Sequence, residues 1–113
     1  MLQGVRMKKF NPLNIARAAK AVAQGKSSDM VLDSARKVIQ SRIKDGRVVF
    51  ITEERIEYVD KDGKRKQYSF EDMAGVFLDI TGQRDHMAEL GLGESDIEQI
   101  FREEYEEVSK NEA

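Results

Sequence analysis

The 113-residue chain contains no cysteine. That absence removes disulfides, thiolate nucleophiles and cysteine-based zinc sites together, and it fits a reducing compartment, so a cytoplasmic location is expected. Histidine occurs once, at His86. A lone histidine leaves both a metal site and a nucleophilic triad short of members. Long apolar runs are missing as well. The longest are VVFI at 48–51 and GVFL at 75–78, far below the roughly 18 apolar residues that suggest a membrane-spanning helix. No membrane span is expected. Proline also occurs once, which leaves most of the chain open to helix.

Against those absences stand 40% hydrophobic and 35% charged residues, the balance of a folded domain rather than a disordered tail. The length suits one domain with one modest core, so residues 1–113 are read as a single domain with residues 1–10 and 109–113 as flexible ends. Arg17 and Lys20 interrupt any apolar stretch of a secretory leader. Residues 1–28 hold six Lys or Arg and no acid, a transit-peptide composition, but the same stretch carries the caps of an ordinary domain helix. Met1 and Met7 are both available as starts.

The net charge of −2 conceals a gradient. Residues 1–47 hold 11 basic against 3 acidic residues, residues 48–69 hold 5 against 5, and residues 70–113 hold 3 against 13. One end should attract anions and the other cations, or the two should attract each other.

Punctuation along the chain marks the elements. A first helix is expected over 12–24, with Asn11 as N-cap, Pro12 at the first helical position and Gly25 as the stop. Ile15, Ala18, Ala19 and Val22 share one face of it, and Arg17, Lys20 and Gln24 another. A second helix should run from after Ser28 to about Lys44 and end at Asp45-Gly46. Its apolar stripe is Leu32, Ala35, Ile39 and Ile43, widened by Val31 and Val38, with Arg36, Lys37, Gln40 and Lys44 outside. The short link between them predicts an antiparallel helical hairpin.

Residues 47–69 read as a three-stranded antiparallel meander. RVVFIT and RIEYVD are β-branched and aromatic, DKDGK is a turn, and RKQYS returns as an edge strand whose basic residues discourage unwanted pairing. Ser69 with Asp72 resembles a capping box opening a helix whose Met73, Val76, Phe77 and Ile80 face the core, with Gly82 as a break. QRDHMAEL continues that helix or forms a short separate one. Ser95 with Glu98 suggests a second capping box, and Ile97, Ile100, Phe101, Tyr105 and Val108 stripe the last helix. The fold class is therefore α+β: a helical hairpin, a three-stranded sheet and C-terminal helices around one core.

Chemistry-bearing motifs are few. His86 has Asp85 and Glu89 nearby, but no second histidine completes a metal set, so no metal and no cofactor is expected. DKDG at 60–63 has the glycine of a calcium loop at the wrong offset. Gly91 and Gly93 follow a helix rather than a strand and are followed by Glu94 and Asp96, which would repel a phosphate. No serine carries a nucleophile motif. A catalytic role is not expected.

The charged faces carry the functional expectation. Arg17, Lys20, Arg36, Lys37, Arg42 and Lys44 on the helical hairpin, with Lys61, Lys64, Arg65 and Lys66 on the β-hairpin, can meet an acidic partner or phosphates. Glu103, Glu104, Glu106 and Glu107 present an acidic face to a basic partner. The expected function is a small non-catalytic interaction or regulatory protein that binds a macromolecule, most simply a protein, through these faces. Head-to-tail assembly of the chain with itself is also allowed by charge.

The alternative is a nucleic-acid-binding module. A helical hairpin followed by a β-hairpin resembles parts of the winged-helix DNA binders, although no three-helix core precedes the wing, so the resemblance is one of parts. The negative net charge and the few aromatics in the basic half weigh against it.

Overall fold

The computed structural model describes residues 28–112, with side chains through Lys110. The expected first helix over 12–24 lies outside the described residues. The described elements run α1 (Ser28–Lys44), β1 (Val48–Thr52), β2 (Arg55–Val59), β3 (Arg65–Ser69), α2 (Phe70–Thr81), α3 (Arg84–Glu89) and α4 (Glu94–Glu112). This is the α+β order expected of the sequence: a helix, a three-stranded meander, then helices.

α1 opens with Asp29 in its first turn and closes with Arg42 and Lys44 in its last, signs that complement the helix dipole. Its end is a Schellman turn. Gly46, at φ 80°, donates its N–H to the carbonyl of Ile43, and Arg47 donates to that of Arg42. The chain is thereby reversed directly into β1. α1 buries Val31, Ala35 and Ile39, with Leu32 and Ile43 packed at the margin and Val38 38% exposed. The centre of the apolar stripe is thus turned from its expected position toward Val31, and Val38 falls off it.

The sheet has strand order β1-β2-β3, antiparallel throughout. Register pairs Val48 with Tyr58, Phe50 with Ile56, and Ile56 with Tyr68, so one face presents these side chains to the core. The ladder is irregular between Phe50 and Thr52. The β2–β3 turn is tied by Asp60, whose Oδ1 accepts the N–H groups of Asp62 at 2.8 Å and Lys64 at 2.9 Å.

Ser69 caps α2 as its spacing predicts, its Oγ accepting the N–H of Asp72 at 3.0 Å. α2 then buries Phe70, Met73, Ala74, Phe77 and Leu78. Ile80, expected in the core, is 46% exposed: with Ala74 and Leu78 buried beside Phe70, Met73 and Phe77, the enclosed face is centred about a quarter-turn from Ile80, which lies beyond its edge. Gly82 ends the helix in the left-handed region at φ 67°, so α3 is a separate short helix. The start of α4 differs from the expected Ser95–Glu98 box. Gly93 precedes the helix, and Asp96 reaches back to accept its N–H at 2.9 Å, while Glu98 pairs with Arg102. An aspartate three residues after the cap performs the return half of a capping box.

α2 packs against β2 and β3 on one side and α4 on the other, and α1 packs against α4 and β1, so that the core lies between these elements. Phe70, Phe101, Ile39, Ile56, Met73, Leu78, Met87, Leu90 and Ile97 are fully enclosed, each contributing about 1.5–3 kcal/mol of transfer free energy for the larger side chains. Phe50, Phe70 and Tyr105 make ring contacts at 5.5–6.1 Å between centroids, and Phe77 meets Phe101 edge-on at 6.0 Å. These aromatic contacts join β1, α2 and α4.

Candidate functional site

The Schellman turn sets the geometry of one end of the molecule. By reversing the chain at Gly46 it places Arg47 beside Arg42, and the pairing of Arg47 with Val59 brings both next to the end of β2. Arg42 Nη1 donates to Tyr58 Oη at 3.1 Å, and Arg47 Nη2 donates to the same oxygen at 3.1 Å. Arg47 Nε also donates to the Val59 carbonyl at 3.2 Å. The two guanidinium nitrogens are therefore no more than 6.2 Å apart, the limit set by two 3.1 Å bonds to one atom.

Among the described residues neither arginine makes an ion pair with a carboxylate. At that separation two like charges repel by about 1 kcal/mol in water-like surroundings and about 3 kcal/mol at an effective dielectric of 20. What holds them is packing: Arg42 lies over the Phe77 ring at 5.9 Å and Arg47 over the Tyr58 ring at 5.6 Å. Both are half-buried, so their heads are positioned before any ligand arrives.

Further cations surround this pair. Lys44 is exposed at the end of α1, and Lys61 and Lys64 are exposed on the β2–β3 turn. Lys66 stands opposite Tyr58 in the ladder, its Nζ 5.7 Å from the Tyr68 ring centroid. Asp45, Asp60 and Asp62 are the acids of this end. The Asp60 carboxylate accepts backbone amides, and the Lys64 N–H first among them, with the Asp62 N–H and the nearby charges of Lys64 and Arg47, holds it below its ordinary value. Arg65 makes only a long, exposed contact to Glu57 at 3.5 Å, and Lys37 pairs with Asp33 at 3.4 Å on the outside of α1.

The remaining candidates are placed differently. Arg36 turns toward α4, bonding both Glu103 and Glu104, the latter at 3.0 Å. Glu104 is buried and also accepts from Gln40 Nε2 at 3.1 Å. One residue of the basic set is thus joined to two of the acidic set within the chain. The bond from Arg36, with a second from Gln99, holds the Glu103 carboxyl below its ordinary value, and the same contact raises the Arg36 guanidinium. Glu106 and Glu107 remain exposed. Arg17 and Lys20 lie outside the described residues.

His86 is half-buried in the wall of an apolar groove between α1 and the α2–α3 segment, while Asp85 and Glu89 are exposed and outside its lining. The hydroxyl of Thr81, in the same wall, is bonded to the Phe77 carbonyl at 2.7 Å. Among the described residues no three His, Asp or Glu side chains gather as a metal-binding group, and no helix is long and apolar enough to cross a membrane.

Arg47 and Tyr58 are the residues of the basic end that spacing alone does not single out. A glycine-reversed helix running straight into a strand is the signal that would have brought Arg47 beside Arg42. Tyr58 follows only from the strand register. No protein-family model, characterised protein or solved structure matches the chain.

Proposed function

We propose that the protein is a small non-catalytic interaction module that binds an anionic macromolecular partner at the basic end formed by Arg42, Lys44, Arg47, Lys61, Lys64 and Lys66. The observation that supports this reading is the convergence of Arg42 and Arg47 on Tyr58 Oη without a carboxylate between them. An anion seated there relieves their mutual repulsion and receives charge-assisted hydrogen bonds from planar donors already fixed by ring contacts. Lysines on the helix end and the turn widen the footprint beyond a single small ion.

An acidic protein surface is the preferred partner. The chain's own net charge is negative and exposed acids such as Glu106 and Glu107 occupy other faces, which penalises a long polyanion more than a compact acidic patch. The same acids allow a second copy of the chain as that partner. Nucleic acid is the second reading, favoured by the position of the lysine-bearing β2–β3 turn beside a helix end, as a wing stands beside a helix.

Fluorescence anisotropy with a labelled polyglutamate peptide and with labelled duplex and single-stranded DNA, at low and near-physiological salt, tests the proposal. Binding that weakens with salt and is lost in the Lys44→Glu/Lys64→Glu double variant is expected. An affinity for polyglutamate that matches or exceeds that for DNA selects the protein partner. Binding unaffected by the double variant overturns the assignment of the surface.

A further inference from the structure

Tyr58 is 7% exposed, more enclosed than either arginine bonded to it. Arg42 Nη1 and Arg47 Nη2 both donate to its Oη at 3.1 Å. Those two bonds occupy the acceptor capacity of the oxygen, while a phenol also has a hydrogen of its own to give. Among the described residues no acceptor takes that hydrogen. The guanidiniums are largely unspent as well. Arg42 gives a bond to Tyr58, and Arg47 gives one to Tyr58 and one to the Val59 carbonyl, whereas a guanidinium is a fork of several N–H donors with no acceptor. Asp60 does not fill the gap: the charge of Arg47 acts on it, but its Oδ1 is held by the N–H groups of Asp62 and Lys64.

On the reading of this end as an anion-binding surface, we propose that Arg42, Arg47 and Tyr58 take the phosphoryl group of a phosphorylated side chain carried by an acidic protein segment. The cluster offers three donor groups, two of them cationic. A carboxylate has a single charge and two oxygens, so it leaves one cation unneutralised and one donor unserved. A nucleic-acid phosphate also carries a single charge. A phosphomonoester brings a charge of about −1.5 to −2 and three strong acceptor oxygens, an oxygen for each donor.

The spacing suits one such group. The two bonded guanidinium nitrogens are no more than 6.2 Å apart. Charge-assisted bonds of about 2.7–2.9 Å from each side span most of that distance, and the separation of two oxygens on one phosphorus covers the rest. The donors are also placed in advance, Arg42 over the Phe77 ring and Arg47 over the Tyr58 ring, so little side-chain freedom is lost on binding. Around them Lys44, Lys61, Lys64 and Lys66 are exposed and meet carboxylates on either side of the phosphorylated residue. A paired site for a dianion among single cations matches a phosphorylated residue among acidic ones.

Fluorescence anisotropy of the full chain with two labelled peptides tests this: polyglutamate with one central phosphoserine, and the same peptide with glutamate at that place. At near-physiological salt the phosphopeptide is expected to bind about ten-fold more tightly or better, as one further charge-assisted hydrogen bond provides. Arg42→Lys/Arg47→Lys keeps the charges and removes the forks, and Tyr58→Phe removes only the hydroxyl. Each should abolish most of that preference and leave the affinity for the glutamate peptide near that of the parent. Equal affinity of the parent for the two peptides overturns the proposal and leaves the anion-binding reading standing. A preference that survives in both variants assigns the phosphoryl group to the lysines and overturns it. Single-stranded DNA bound more tightly than the phosphopeptide assigns the site to nucleic acid and also overturns it. Failure of the parent to bind either peptide or DNA overturns the anion-binding reading as well.

Discussion

Arg36 and Glu104 meet across the contact between α1 and α4, Nη1 to Oε2 at 3.0 Å, on a glutamate side chain only 9% exposed. The pair lies 68 residues apart in sequence, one in the basic half and one in the acidic half. Part of the charge gradient is therefore used inside the fold to join its first described helix to its last. Removing Arg36 leaves Glu104 enclosed with Gln40 as its remaining donor. Arg36→Ala should cost about 1–3 kcal/mol, below the range for a fully buried pair because the arginine is one-third exposed. Chemical denaturation of the single variants and of Arg36→Ala/Glu104→Ala should show a non-additive cycle; additive losses would mean that the contact contributes nothing specific.

Acid should weaken the protein partly through Glu103. Its folded carboxyl titrates below the ordinary 4.5 because Arg36 and then Gln99 bond the charged form. A lowered folded value gives stability that is fully present above the unfolded value and is lost as pH falls through the folded one. The melting temperature should therefore drop as pH is lowered below about 5, and Glu103→Gln should flatten that drop. An identical pH profile in the variant would show that the Arg36 contact is not linked to folding.

The core offers a larger effect. Phe101 is 0% exposed and meets Phe77 edge-on at 6.0 Å. Phe101→Ala should destabilise by about 3–5 kcal/mol through lost transfer energy and the cavity left between α2 and α4. A denaturation midpoint within error of the parent would contradict that position for the ring.

Local punctuation should give smaller, separable losses. Gly46 adopts φ 80°, and a Cβ there would meet nothing within 4 Å, so Gly46→Ala reports backbone strain alone. About 1 kcal/mol is expected. Ser69→Ala removes the bond to the Asp72 N–H and should cost about 1 kcal/mol. Both are measurable by thermal unfolding. Gly46→Ala carries an additional expectation, since displacing Arg47 should also weaken binding of the anionic partner.

Those two positions show what the sequence made legible. Gly46 and Ser69 carry their conformational instructions in their own chemistry and immediate neighbours, so the end of α1 and the start of α2 could be read directly. The meander was likewise legible from β-branched runs and the Asp60–Lys64 turn. What depended on packing was not. Ile80 and Val38 look like core residues by composition, yet the rotation of each helix against its neighbour decides which side of the stripe is enclosed, and both fall outside. Asp96 displaced the expected Ser95–Glu98 cap because α4 begins at Glu94, with Gly93 in the cap position, two residues earlier than the hydroxyl suggested.

The charged candidates divide for the same reason. Their count and gradient were visible along the chain, but the division between Arg36, turned to Glu103 and Glu104, and Arg42, turned to Tyr58, is a product of the tertiary fold. Arg47 joins the basic end through a turn and a strand register, neither of which marks it as functional in isolation.

The measurement that bears most directly on the proposed function is the salt dependence of binding by the full chain to polyglutamate and to duplex DNA, repeated with Arg42→Gln/Arg47→Gln. Light scattering of each sample, and of the free protein, gives the mass of the species bound. The account predicts a salt-sensitive complex with at least one polyanion that the arginine variant weakens ten-fold or more while its far-ultraviolet circular dichroism stays that of the parent. Absence of any complex at low salt, or equal binding by the variant, would contradict it.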